Sequence, residues 1–125
     1  MHNPAANLYG RTAKTGFTTR GLEAELLTQC AGDLTRAASI LPDDQPLVLA
    51  LERNRSVWNR FALHLRHGDT DLNDEQRLTV LRLASLIFLK TAETCERPDR
   101  RRAEALASIN LTVAAGLRGI APGAK

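Results

Sequence analysis

Residues 47–65, LVLALERNRSVWNRFALHL, constrain the fold more than any other stretch of the chain. Leu47, Leu51, Trp58, Phe61 and Leu65 recur at steps built from three and four residues, the spacing that lines up one face of an α-helix. Asn54 falls inside that stripe, where its carboxamide must find partners or cost free energy. The segment reads as the packing helix of a small all-helical domain. It holds no reacting group, so its spacing argues for a binding function and leaves the ligand open.

A chain of 125 residues can bury one real core. It is rich in Leu and Ala and poor in aromatics, as helix-packed cores tend to be. The formal net charge of +3 comes almost entirely from Arg; it favours acidic partners weakly and does not mark a nucleic-acid binder. Cys30 and Cys95 show no CxxC spacing, and Cys30 sits on an apolar stripe as a small buried hydrophobe would. Two such thiols in a core-sized chain suggest a reducing compartment. Residues 1–18 lack the apolar run of a secretory signal, and no stretch approaches the roughly 20 apolar residues of a membrane span. The expectation is a soluble, cytoplasmic protein without membrane insertion.

Residues 1–18 have no long period and read as a flexible N-terminal arm, with Leu8, Tyr9 and Phe17 either docking it or meeting a partner. Thr18 or Thr19 can cap a first helix whose stripe is Leu22, Leu26, Cys30, Leu34, Ala37 and Leu41. Pro42 keeps that helix from passing far beyond Leu41. Gly32 in its middle costs about 1 kcal/mol relative to Ala unless a neighbouring helix needs the room. Asp43 and Asp44 can cap the second helix, Pro46 is tolerated in its first turn, and Gly68 can take a left-handed turn at its end. Asn73 and Gln76 have the spacing of a capping box that opens a third helix over 74–95.

Leu78, Val80, Leu81, Leu83, Leu86, Ile87, Phe88 and Leu89 cover almost the whole circumference of that third helix. Such a helix is either central in its domain or covered by a partner. Pro98 and Asp99 precede a fourth helix over 99–117, with Ala103, Leu106, Ile109, Val113 and Leu117 as its stripe and Asn110 inside the arc. Gly116 and Gly119 are available to end it. The expected architecture is all-α: a four-helix bundle-like domain over 19–119, with the flexible arm before it and a frayed tail, 120–125, after it.

Asn54 and Asn110 stand in equivalent places on different helices. Each either fixes how helices pair, as buried polar residues fix register in coiled coils, or contacts a bound peptide. Trp58 reads as core whose indole N–H needs an acceptor. Arg97, Arg100, Arg101 and Arg102 form the densest positive cluster, either a solvated patch or a site for RNA or an acidic partner. Cations at a helix N-terminus oppose the macrodipole, so helix stability does not explain them. No aromatic residue interleaves the cluster as base stacking would require, which makes nucleic acid a weak reading.

His64 and His67 lie near one another on the second helix, but no Cys or carboxylate pattern completes a metal site. No nucleophile–His pair and no Gly-rich phosphate loop is present, so neither enzyme, cofactor nor small-molecule substrate is expected. Leu49 and Leu63 stand on the back of the second helix, opposite the Trp58 stripe. With the over-apolar third helix, Val80, Leu83 and Ile87 included, they exceed what one four-helix core requires. The expectation is an apolar groove that takes an amphipathic helix from a partner.

The stretch ALERNRSVW, residues 50–58, resembles the "AL..NR.LW" core of the FlaF family of flagellar biosynthesis proteins of alphaproteobacteria. Other features agree in order: Tyr9 in the arm, Arg20 and Glu23 opening the first helix, and LNDEQR at 72–77 in place of the family's "LP.ELR". INLTVAAGLRG at 109–119 resembles its closing "IN..I..GL.G". Asn73 stands where the family usually has Pro, and the RPDRRR stretch is more basic than the family's Gly-containing turn. The resemblance implies a flagellin-binding export chaperone that also promotes flagellin synthesis, acting against the translational repressor FlbT. It carries over Asn54, Arg55, Trp58, Asn110 and Gly116 as partner-binding or structural residues. An RNA-binding regulator of flagellin message, and an adaptor that binds FlbT only, are the competing readings.

Overall fold

Short local signals set the helix boundaries in the computed structural model, which describes residues 19–68 and 70–119. Four helices appear and, among the described residues, no strand: α1 (Thr19–Ser39), α2 (Gln45–Arg66), α3 (Asp74–Glu96) and α4 (Arg100–Gly119). The all-helical reading of the sequence holds. The arm over 1–18, Tyr9 included, and the tail over 120–125 lie outside the described residues.

The α3 start is the capping box expected from the sequence. Asn73 Oδ1 accepts from the Gln76 backbone N–H at 2.8 Å, and Gln76 Oε1 accepts from the Asn73 N–H at 3.0 Å. The end of α2 also follows its signal: the His67 N–H donates to the Leu63 carbonyl, and Gly68 takes a φ of +75° with its N–H on Leu65. One expectation needs correction. Asp44 occupies the N-cap position of α2, but its backbone is already helical and its side chain makes no capping bond. Of the two glycines available to end α4, Gly119 is its last residue, whereas the helix runs through Gly116 without left-handed geometry there.

The core follows the predicted faces, with Leu27 in place of Leu26 on α1. Leu47, Leu51, Trp58, Phe61 and Leu65 of α2 are all buried, and so are Ala103, Leu106, Val113 and Leu117 of α4. On α1 Leu22, Cys30, Leu34 and Ala37 are buried as read, and Leu27 is fully buried while Leu26 beside it is only half-buried. Ala24, Ala31 and Ala38 repeat every seven residues on that buried face, and Ala107 and Ala114 do the same on α4. Small side chains let two helix backbones approach closely, and α1 against α4 is the tightest pairing in the molecule. A second alignment of the same helices joins Arg118 of α4 to Thr28 and Glu25 of α1, at 3.1 and 3.2 Å.

Around this pair, α2 packs on α1, α3 packs on α2, and α3 reaches α4 more sparsely; the diagonal helices barely meet. Position in the bundle therefore differs from one expectation for α3. It is peripheral, and only Ala84, Ile87, Thr91 and Thr94 along its 23 residues are buried. At the other end of the link, Arg20 is buried at the start of α1 and pairs with Asp71 at 2.6 Å, which holds the α2–α3 connection against α1.

Candidate functional site

Three of the residues carried over by the family resemblance meet at the centre of the bundle. Asn110 of α4 donates through Nδ2 to Asn54 Oδ1 of α2 at 2.6 Å and to the Leu27 carbonyl of α1 at 3.1 Å. Its Oδ1 accepts from Trp58 Nε1 of α2 at 2.9 Å. Asn54, Trp58 and Asn110 are each fully buried. α2 and α4 are diagonal neighbours whose backbones stand apart, so the long indole and two carboxamides span the gap that main-chain contact leaves. Trp58 also meets Phe61 with ring centroids 5.8 Å apart in a tilted arrangement.

None of the three side chains reaches the surface, and their polar groups bond to one another and to the α1 backbone. A misplaced helix would strand polar atoms in the core, at about 1–3 kcal/mol for each unpaired group. Asn54 Nδ2 is the one buried side-chain polar atom without a hydrogen-bond partner among the described residues. Cys30, also buried, has its thiol pushed up to about 11 by burial and then by the nearby Asp33 carboxylate, so it stays protonated at neutral pH. Cys95 is exposed and free, and the two form no disulfide.

The outer surface carries the apolar surplus. On α3, Leu78, Leu86 and Leu89 are 50%, 39% and 57% exposed. With Arg82 they follow the i, i+4, i+8, i+11 ridge by which helices pack on one another. The residues singled out from sequence on this helix lie on its other side: Ile87 is fully buried, and Val80 and Leu83 are half-buried against the core. Sequence periodicity could not separate the two sides, since both are leucine-rich. On α2, Leu49 and Leu63 are 59% and 49% exposed, as expected. They sit 14 residues apart, about 21 Å along a helix, so they belong to different parts of the surface.

Leu49 shares an open recess with α1. Ile40, exposed beside it, was missed from sequence because it follows the last turn of α1. Ala37 and Ala50 form the floor of this recess and Pro46 one wall. Asp33 stands at the edge and pairs with both Arg36 and Arg53.

Arg55 and Gly116 are exposed, and a Cβ added at Gly116 would meet nothing within 4 Å. Of the arginine cluster, Arg100 pairs with Glu104 at 2.6 Å and Arg102 with Asp99 at 3.6 Å; Arg97 and Arg101 are exposed. Asp99 Oδ1 also accepts from the Arg101 and Arg102 backbone N–H groups, so a carboxylate at the α4 start offsets the cations around it. Among the described residues, no group of three His, Cys, Asp or Glu side chains converges as a metal site would need. No helix among them is long and apolar enough to cross a membrane.

A family model described as "Flagellar protein FlaF" matches residues 5–117. No curated protein and no solved structure matches the chain.

Proposed function

The chain belongs to the FlaF family of flagellar proteins, and on that premise we propose that it binds flagellin as an export chaperone, promoting flagellin synthesis against the repressor FlbT. It acts by binding, as neither an enzyme nor a cofactor carrier. The observation that carries this reading is the ridge of Leu78, Leu86 and Leu89 on the outside of α3. The bundle core is complete without these side chains, so they stand in water at a cost that a partner helix would remove, at about 25 cal/mol per Å² of apolar area covered.

Flagellin's terminal segments are helical in the filament and would associate prematurely if left bare. A segment that folds only on the α3 ridge spends part of its interaction energy on ordering, which keeps affinity moderate and favours release at export. Co-purification with full-length flagellin, and with flagellins lacking either terminal segment, tests the reading. Retention should fail for one truncated flagellin. The double variant Leu86→Glu/Leu89→Glu should keep its helical circular dichroism and lose binding at least about tenfold. Undiminished retention by that variant, or retention of RNA and no flagellin, would overturn the proposal.

A further inference from the structure

The recess between the end of α1 and the start of α2 differs from the α3 ridge in being charged on one side. Its apolar part is formed by Ile40 and Leu49, both at least half exposed, over Ala37 and Ala50. At its edge Arg36 Nη2 contacts Asp33 Oδ1, and Arg53 Nη1 contacts Asp33 Oδ2 at 2.7 Å. One carboxylate thus holds two guanidiniums, so the charged side chains that line the recess sum to +1, while Asp43 and Asp44 stand in the adjoining turn outside it. Both arginine side chains remain about 70% exposed, with N–H donors unused.

Gly32 belongs to this arrangement. A Cβ there would come within 3.2 Å of Arg36 Nη1, and the three nearest atoms all belong to the Arg36 guanidinium. A side chain at position 32 would therefore press on the Arg36 guanidinium of its own helix.

We infer that this recess docks an acidic helical segment of the protein partner, which inserts an aliphatic side chain between Ile40 and Leu49 and sets a carboxylate on Arg36 and Arg53. Charge selects the occupant. Residues 1–18 of this chain contain no Asp or Glu and carry Arg11 and Lys14, so the arm cannot supply the carboxylate. A drug-sized ligand would need enclosure, whereas this recess opens to solvent. A helix satisfies both requirements at once, since residues three and four apart present side by side.

The inference rests on the flagellin reading for its natural partner, and two measurements keep their failures apart. The first is the affinity of flagellin for the full chain and for Leu49→Glu, Arg36→Gln/Arg53→Gln and Leu86→Glu/Leu89→Glu. Both recess variants should weaken binding about tenfold, and the arginine variant should also lose part of the salt dependence. Loss with the α3 variant alone would overturn the recess as a docking site while leaving the chaperone reading in place.

The second uses peptides of about 18 residues, long enough to hold a helix, carrying leucine with either glutamate or lysine four positions away. The full chain should prefer the glutamate peptide, and Arg36→Gln/Arg53→Gln should abolish that preference. This holds even if flagellin itself does not bind. Equal binding of the two peptides, or binding that only a second copy of the chain competes away, overturns the inference.

Discussion

Asn110 places three hydrogen bonds on one carboxamide, while Asn54 makes one and leaves its Nδ2 unpaired. The two asparagines look alike in sequence, each a polar residue in an apolar stripe, but their energetics should differ. Asn110→Leu strands the Trp58 N–H and the Asn54 oxygen in the core and should cost about 3–5 kcal/mol. Asn54→Leu removes an already orphaned donor and leaves Asn110 bonded to Trp58 and Leu27, so its cost should stay near 1–2 kcal/mol. Urea unfolding of the two variants decides this; equal losses, or the reverse order, would contradict the assigned geometry. Cys30 gives a second test. Its folded thiol ionises near 11 against 9.0 for an unperturbed thiol, so the unfolded chain loses its proton first as pH rises. The contribution is complete below pH 9 and disappears between about 9 and 11, and Cys30→Ala should flatten the stability profile across that window. In the native protein near pH 8, iodoacetamide should modify Cys95 and spare Cys30.

Helix by helix, what could be read from sequence was whatever depended on neighbours along the chain. The α2 stripe, the Asn73–Gln76 capping box and the Gly68 turn all follow from spacing within a few residues, and all appear. The Asp44 cap failed because its backbone angles depend on how the turn after α1 is made. On α1 the reading of Leu22, Cys30, Leu34 and Ala37 as buried holds, but Leu27 and the alanines beside it were missed, because alanines every seven residues are weak signals until another helix lies against them. For α3, an all-round apolar pattern could not tell a central helix from a peripheral one. The structure puts it at the periphery, with four buried side chains against ten on α1. That contrast predicts uneven stability: native-state hydrogen exchange should show α3 amides opening at lower free energy than those of α1 and α4. Ile87→Ala, which empties the middle of the α3 contact, should cost about 2–4 kcal/mol and lower α3 protection most. Uniform protection across all four helices in that variant would show instead that α3 is bound into the same cooperative unit. A loosely held α3 is also the element best able to adjust to a segment lying along its leucine ridge.

At the scale of the molecule, α1 is the hub. It pairs closely with α4, supports α2, and through Arg20 and Asp71 holds the link that leads into α3. The surface thus divides into a leucine ridge on the loosely attached helix, a recess edged by Arg36 and Arg53 between α1 and α2, and an arginine cluster at the start of α4. These three regions answer differently to salt, which tests the whole assignment. If RNA were the ligand and the four arginines of the cluster contacted phosphates of a single strand, affinity should fall about 20-fold between 0.1 and 0.3 M salt. Flagellin held mainly by apolar area, with a carboxylate on the Arg36–Arg53 edge, should lose less than about fivefold over the same range. Replacing Arg100 and Arg101 with Gln should leave flagellin binding within about twofold, since Arg100 is engaged with Glu104 and neither arginine lines the Ile40–Leu49 recess. A steep salt dependence of flagellin binding that those two substitutions remove would move the binding site to the α4 start and away from the leucines.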